Sequence, residues 1–309
     1  MIAHARRLLR IVLGASLLLA LPTVGAALDE AGKEDCVDWK CAETMDEVKT
    51  IIEEASKSAG PENTLIVFDI DNTLLKMSKD LGSDAWYKWQ SDLLKGPPSD
   101  FSVAKDVNGV INVQRLLYDL SAMSLPENST PEVVGKLRKA GYPVMMLTGR
   151  GPDTLSATRR ELAAKDYIPA ERSPCSDNSC TLPPACGSVL CSTLGIISKE
   201  AVKAASEKAK KCFPRGDFDS LKRVMGYWDG VMMASGQNKG AVLQLLLASK
   251  ADACEPDYTT HPQYKAVVFV DDDPDNTKAV YEAFKDEPVG YRRPIHAARQ
   301  GRGSVQKQQ

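Results

Sequence analysis

Four short apolar runs recur along this chain: LIVF at residues 65–68, VMML at 144–147, VMMA at 231–234 and VVFV at 267–270. None alternates with polar residues, and each ends on a polar one. Such runs are too short for helices and read as strands buried on both faces. Between them the apolar positions shift to helical spacing. Met45, Val48, Ile51, Ile52 and Ala55 predict a helix within residues 44–58, which Gly60 and Pro61 stop. Trp86, Trp89, Leu93 and Leu94 predict another, broken at Gly96-Pro97-Pro98. Val113, Leu116, Leu117 and Leu120 predict a third, over 110–123. Thr130 and Pro131 open a fourth, with Thr130 as N-cap and Pro131 at the first helical position, and Gly141 ends it. Further helices are expected over 153–165, 198–211, 241–247 and 277–284. Short apolar strands alternating with helices give an α/β fold, a Rossmannoid parallel sheet with helices on both faces.

The same pattern divides the chain. Arg6, Arg7 and Arg10 precede an apolar stretch at 11–20, then Pro22 and the small residues 24–27. This is the layout of a secretory signal peptide over residues 1–27, cut after Ala26 or Ala27. The apolar stretch falls short of the roughly 20 residues of a membrane span, so no stable membrane anchor is expected. Secretion or export to a periplasm follows. Residues 28–60 read as an N-terminal extension, irregular over 28–41 and then helical. The core is expected over 61–292, with a helical insert at 77–125 and a Cys-rich insert at 168–222 acting as partial caps. A basic tail, 293–309, reads as disordered.

Charge and cysteines sharpen this. Of 309 residues, 39 are Lys or Arg and 41 are Asp or Glu, a formal charge of −2. Losing the three leader arginines leaves about −5, which argues against nucleic acid as a partner. The eight cysteines are Cys36, Cys41, Cys175, Cys180, Cys186, Cys191, Cys212 and Cys254. An even count in an exported chain predicts disulfides, with Cys36–Cys41 one candidate link. The spacings from Cys175 to Cys191 are looser than those of zinc knuckles.

Candidate chemistry lies where the apolar runs stop. Ligands of parallel α/β sheets bind at the carboxyl ends of the strands. Asp69, Thr148, the 235–239 loop with Lys239, and Asp271 with Asp272 are therefore expected to converge. Carboxylates crowded at one sheet edge repel, and one protonates unless a cation compensates. An all-oxygen donor set suits Mg²⁺, which completes its shell with water and a substrate phosphate. Lys239 and Thr148 offer a positive charge and a hydroxyl to phosphate oxygens.

The ordered set Asp69-Ile-Asp71-Asn-Thr73, Thr148, Lys239 and Asp271-Asp272 with Asn276 resembles the four motifs of the haloacid dehalogenase (HAD) superfamily of phosphohydrolases, over residues 65–280. LTGR, NKG and VFVDD further resemble a HAD-like family of secreted bacterial proteins with no firm substrate. The exported class B and class C acid phosphatases are more distant. The resemblance implies an HAD-like core and a Mg²⁺-dependent hydrolase of small phosphomonoesters, acting through an aspartyl-phosphate. It implies that Asp69 is the nucleophile and that Asp71 is the general acid and base. Thr148 would bind the transferred phosphoryl group, and Lys239 would neutralise nucleophile and phosphate. Thr73 would order the catalytic loop. Thr73, Gly149, Arg150 and Asn276 are the candidates around the phosphate. Mg²⁺ would be held by Asp69, by Asp71 through its carbonyl, by Asp272 and by Asp271, with Asp275 a weaker candidate. HAD dehalogenases lack the second aspartate, so Asp71 favours phosphoryl transfer. Two other readings stay open: a catalytically weak HAD-fold protein for binding or host interaction, and phosphotransfer to an alcohol. Trp86 and Trp89, three apart, read as packing residues or as a platform for a flat substrate.

Overall fold

The structure, a computed structural model, describes residues 39–168, 195–228, 230–248, 264–286 and 295–300. In chain order it runs β1 (Lys40–Ala42), α1 (Met45–Ala55), β2 (Thr64–Phe68), β3 (Lys76–Met77), α2 (Asp84–Leu93), α3 (Val107–Leu120), β4 (Met123–Ser124), α4 (Thr130–Lys139), β5 (Val144–Thr148), α5 (Leu155–Ala164), β6 (Gly195–Ile197), α6 (Lys199–Cys212), β7 (Met225–Trp228), β8 (Val231–Met233), α7 (Lys239–Leu247), β9 (Ala266–Val270), α8 (Pro274–Lys285) and β10 (Ile295–Gln300).

The four apolar runs are β2, β5, β8 and β9, and they lie side by side. The sheet order is β1-β10-β9-β2-β5-β8-β7-β6, parallel from β1 to β8. Successive side chains of a strand leave opposite faces, so a strand covered on both sides must be apolar throughout. Leu65 and Val67 of β2 join one core with residues of α6, α7 and α8, including Val202, Leu243 and Phe284. Ile66 and Phe68 join the other, with Val48 of α1, Val134 of α4 and Leu162 of α5. The result is a Rossmann-like α/β fold, a mostly parallel sheet between two helical layers.

The edges differ from expectation. β7 runs antiparallel to β8, and β6 antiparallel to β7, so that edge is a hairpin plus one more strand. The described part of the expected Cys-rich insert, residues 195–222, thus extends the sheet and adds α6 to one layer. Residues 169–194 lie outside the described set. At the other edge, residues 295–300 form an inner strand between β1 and β9, where a disordered tail was expected. Residues 40 and 41, expected to be irregular, pair with that strand together with Ala42. IHAARQ has no clean period, and KCA is too short to show one, so tertiary pairing made both strands. Boundaries moved as well. Ser129 replaces Thr130 as N-cap, and the Thr130 hydroxyl bonds back to the Glu127 carbonyl. α7 and α8 start earlier than their apolar spacing suggests, because Asn238 and Asp273 cap them.

The expected helical insert leaves and returns at one place. β3 and β4 pair antiparallel, Lys76 with Ser124 and Met77 with Met123, and α2 and α3 lie between them. Its return is fastened to α5. Arg160 donates to the carbonyls of Tyr118, Asp119 and Ser121, satisfying the open end of α3, and Glu161 accepts from Met123 N at 2.7 Å. Cys41 and Cys212 are both disulfide-bonded. The signal peptide, the Cys36–Cys41 link and Cys175 to Cys191 fall outside the described residues. Among those residues no helix is long and apolar enough to cross a membrane.

α7 and α8 approach closely at Gly240. A Cβ there would stand 2.4 Å from the Ala279 carbonyl oxygen and 2.8 Å from Ala283 Cβ. Backbone cannot yield as a side chain can, so Gly240→Ala is expected to destabilise the protein by about 1–3 kcal/mol, read from denaturant unfolding.

Candidate metal centre at the strand ends

The loop after β2 is tightly drawn. Asp69 N still donates to Val270 O of β9 at 2.8 Å, while Leu74 N and Leu75 N both turn back to Ile70 O. Asn72 takes φ 61°, a left-handed conformation that Asn tolerates better than most residues. Thr73, fully buried, accepts Asp272 N at 3.1 Å, which stitches the loop after β2 to the loop after β9. On the other side the ladder runs past the strands: Ala234 N, Ser235 N and Gly236 N donate to Thr148 O, Arg150 O and Gly149 O. Buried Gln237 bonds Ala234 O and Arg223 and so shapes the turn that delivers Lys239 to the start of α7.

These loops bring the expected residues together. Lys239 Nζ lies 2.5 Å from Asp69 Oδ1 and 2.7 Å from Asp271 Oδ2, all three buried. Asp271 Oδ1 accepts Asp273 N at 2.8 Å and Asn276 Nδ2 at 3.3 Å. Asn276 therefore orients an acid and touches the cluster only through it. Asp69, Asp271 and Asp272 each offer an oxygen within 4.8 Å of the others, and all three are buried. Asp275 is exposed in the first turn of α8 and stands outside that cluster. Gly149 is exposed, with nothing within 4 Å of where a Cβ would be, so backbone there is open to approach.

Asp71 and Arg150 are arranged otherwise than expected. Arg150, a candidate for the phosphate, is buried and grips Asp71: Nε lies 2.9 Å from Oδ2 and Nη2 lies 2.7 Å from Oδ1. The sequence could not give this direction, because a long side chain after a strand end can turn either way. The Thr148 hydroxyl lies 3.4 Å from Asp71 Oδ2 and accepts Arg150 N.

The electrostatics favour a cation. Burial first, then the Asp271 and Asp71 carboxylates, push the Asp69 pKa well up against the pull of Lys239. Burial raises Asp271 too, with Lys239 opposing. Burial works against the charge on Lys239, yet Asp271 and Asp69 outweigh it and raise its pKa. Among the described residues, Asp69, Asp71 and Asp271 share two cations, Lys239 and Arg150, an excess of carboxylate that a bound cation would offset. The donors are all oxygen, which fits a hard cation.

Three neighbours come from the helical insert and had no signal in the sequence. Asp84, at the start of α2, accepts Asn72 Nδ2 at 2.6 Å. Tyr118 lies under the Arg150 guanidinium, and Met123 Sδ touches it. Of the two tryptophans, Trp86 is buried and Trp89 is half exposed, so they do not act as one pair. Asp84 is exposed to solvent on one side. Desolvation by the protein packed around its carboxyl, then the Asp71 carboxylate, lifts its pKa from 3.8 to about 6.

A raised carboxyl holds its proton longer in the folded state, so it costs stability as pH climbs from its unfolded value towards about 6. Asp84→Asn is expected to match wild type near pH 4 and to melt higher at pH 7, in thermal melts with EDTA. A search of curated proteins finds no match to the chain. The described fold and the strand-end cluster fall within residues 42–293 save for the start of β1 and the last strand, and over those residues the chain matches a family described as "Protein of unknown function (DUF2608)". The chain belongs to that family.

Proposed function

We propose that this protein is a Mg²⁺-dependent phosphomonoester hydrolase of the HAD type, acting on a small phosphorylated substrate. The observation that carries the reading is the buried Asp69 carboxylate, paired with Lys239, beside Asp271 and Asp272, with Asp71 two residues on. A carboxylate withdrawn from water and short of countercharge suits a nucleophile that meets its cation and an anionic phosphate together. Mg²⁺, when bound by Asp69, Asp272 and the neighbouring acid and carbonyl, would neutralise phosphoryl oxygens and reduce their repulsion of Asp69.

The chain's own groups then share the work. Lys239 orients Asp69 and favours its ionised form, which a bound Mg²⁺ would favour further. An Asp69 oxygen attacks phosphorus, the bond to the leaving oxygen breaks, and Asp71 gives that oxygen a proton. Asp71 next takes a proton from a water whose oxygen attacks the aspartyl-phosphate. The acyl P–O bond breaks, which releases phosphate and restores Asp69. The Thr148 hydroxyl and the backbone at Gly149 are the groups placed to meet the phosphoryl oxygens.

A panel of small phosphomonoesters tests this. Phosphate release is expected only with Mg²⁺, and Asp69→Asn should lower it by roughly 10³-fold or more. Release that persists in EDTA, or that Asp69→Asn leaves unchanged, overturns the reading. Metal binding has its own readout. Mg²⁺ at about 100 times its Kd is expected to stabilise the fold by about 2.7 kcal/mol. Denaturant titration should show that gain in wild type and lose it in Asp272→Asn.

A further inference from the structure

Arg150 spends every direction of its guanidinium inside the protein. Nε and Nη2 take both oxygens of Asp71, Nη2 also touches Met123 Sδ at 3.1 Å, and Nη1 donates to Thr158 Oγ1 at 3.0 Å. Tyr118 covers one flat side, its ring centre 4.4 Å from Cζ. The Arg150 side chain is 2% exposed, and that of Asp71 is 20% exposed. One end of this ion pair is sealed, and the other keeps contact with solvent.

A buried ion pair is poor evidence of stability, since its desolvation offsets its attraction. A two-point guanidinium–carboxylate contact does supply geometry: it fixes where the carboxylate lies and how it is rotated, which a single ammonium contact does not. Two of the groups that immobilise Arg150, Tyr118 and Met123, belong to the helical insert. The third, Thr158, belongs to α5, the helix to which Arg160 and Glu161 fasten that insert's return.

Resting on the hydrolase reading, we propose that Arg150 is a positioning residue which fixes the Asp71 carboxylate for proton transfer, and that the helical insert sets this position through Tyr118 and Met123. The insert is thereby part of the catalytic loop's support. Arg150 takes no part in holding phosphate.

Steady-state kinetics of the whole protein on nitrophenyl phosphate test this, since that leaving group departs without a proton and leaves Asp71→Asn measurable. Arg150→Gln and Arg150→Lys are expected to lower kcat by roughly 10- to 100-fold with KM within about two-fold. In the Asp71→Asn background Arg150→Gln should change kcat by less than about two-fold, because its effect passes through Asp71. Tyr118→Leu should show a smaller loss with the same dependence on Asp71. A raised KM at constant kcat, or losses that multiply independently in the double variant, overturns the proposal. If Arg150→Gln does not fold, Thr158→Val and Tyr118→Leu carry the same cycle. Inactivity of wild type on every ester would sink the hydrolase reading alone. The crystal structure of Arg150→Gln or Thr158→Val then decides this proposal: an Asp71 carboxylate displaced from its wild-type position supports it, and one left in place overturns it.

Discussion

One ammonium group stands between two carboxylates at the top of the sheet, with almost no water in reach. Lys239 is 170 residues from Asp69 and 32 from Asp271, so this contact ties together the loops after β2, β8 and β9. It forms only because the apolar strands end level with one another. It also needs α7 to start directly after Asn238 and to press against α8 at Gly240, where no side chain fits. Removing the lysine would leave two buried acids facing each other, a far worse state than a missing surface ion pair. Even with the lysine present, Asp69, Asp71 and Asp271 outnumber Lys239 and Arg150 among the described residues. A divalent ion is thus as much a part of the proposed centre's electrostatics as of its chemistry.

The parts legible in the sequence were those dictated by burial. A strand covered on both faces has to be apolar at every position, and β2, β5, β8 and β9 announce themselves that way. Polar residues at their ends are conspicuous against such runs, which is why Asp69, Thr148, Lys239, Asp271 and Asp272 could be named together. The illegible parts were those in which a partner decides. Lys40–Ala42 and Ile295–Gln300 are strands because they pair with each other and with β9. Gly195–Ile197 is a strand because β7 offers it an edge. Arg150 reads as a phosphate ligand by its place after Thr148. Only packing shows its guanidinium enclosed by Tyr118, Met123 and Thr158. Asp84 reads as an ordinary helix-start residue until Asn72 is found opposite it.

The insert and the centre are consequently hard to separate. Its base is a two-strand ribbon, its return is clamped by Arg160 and Glu161, and its inner surface supplies Asp84 and Tyr118. Its outer surface differs in character. Leu81, Trp89, Phe101, Val103, Val107, Leu116 and Leu120 are all substantially exposed. The insert therefore places polar and aromatic chemistry towards the loops at the ends of β2 and β5 and apolar surface towards solvent.

The strand order also has a consequence for how the chain reaches its native state. β10 lies between β1 and β9, so the first described strand docks only on the last one. Residues 40–42 find their partners at 298–300, which is close to the greatest sequence separation the described chain allows. Contacts of that span are entropically costly to close and slow folding. A nascent chain that has emerged as far as α8 can assemble the central strands and both helical layers, yet its edge strand has nowhere to go. Completion of the sheet waits for residues 295–300, and until they dock β9 presents an unpaired edge to whatever surrounds it.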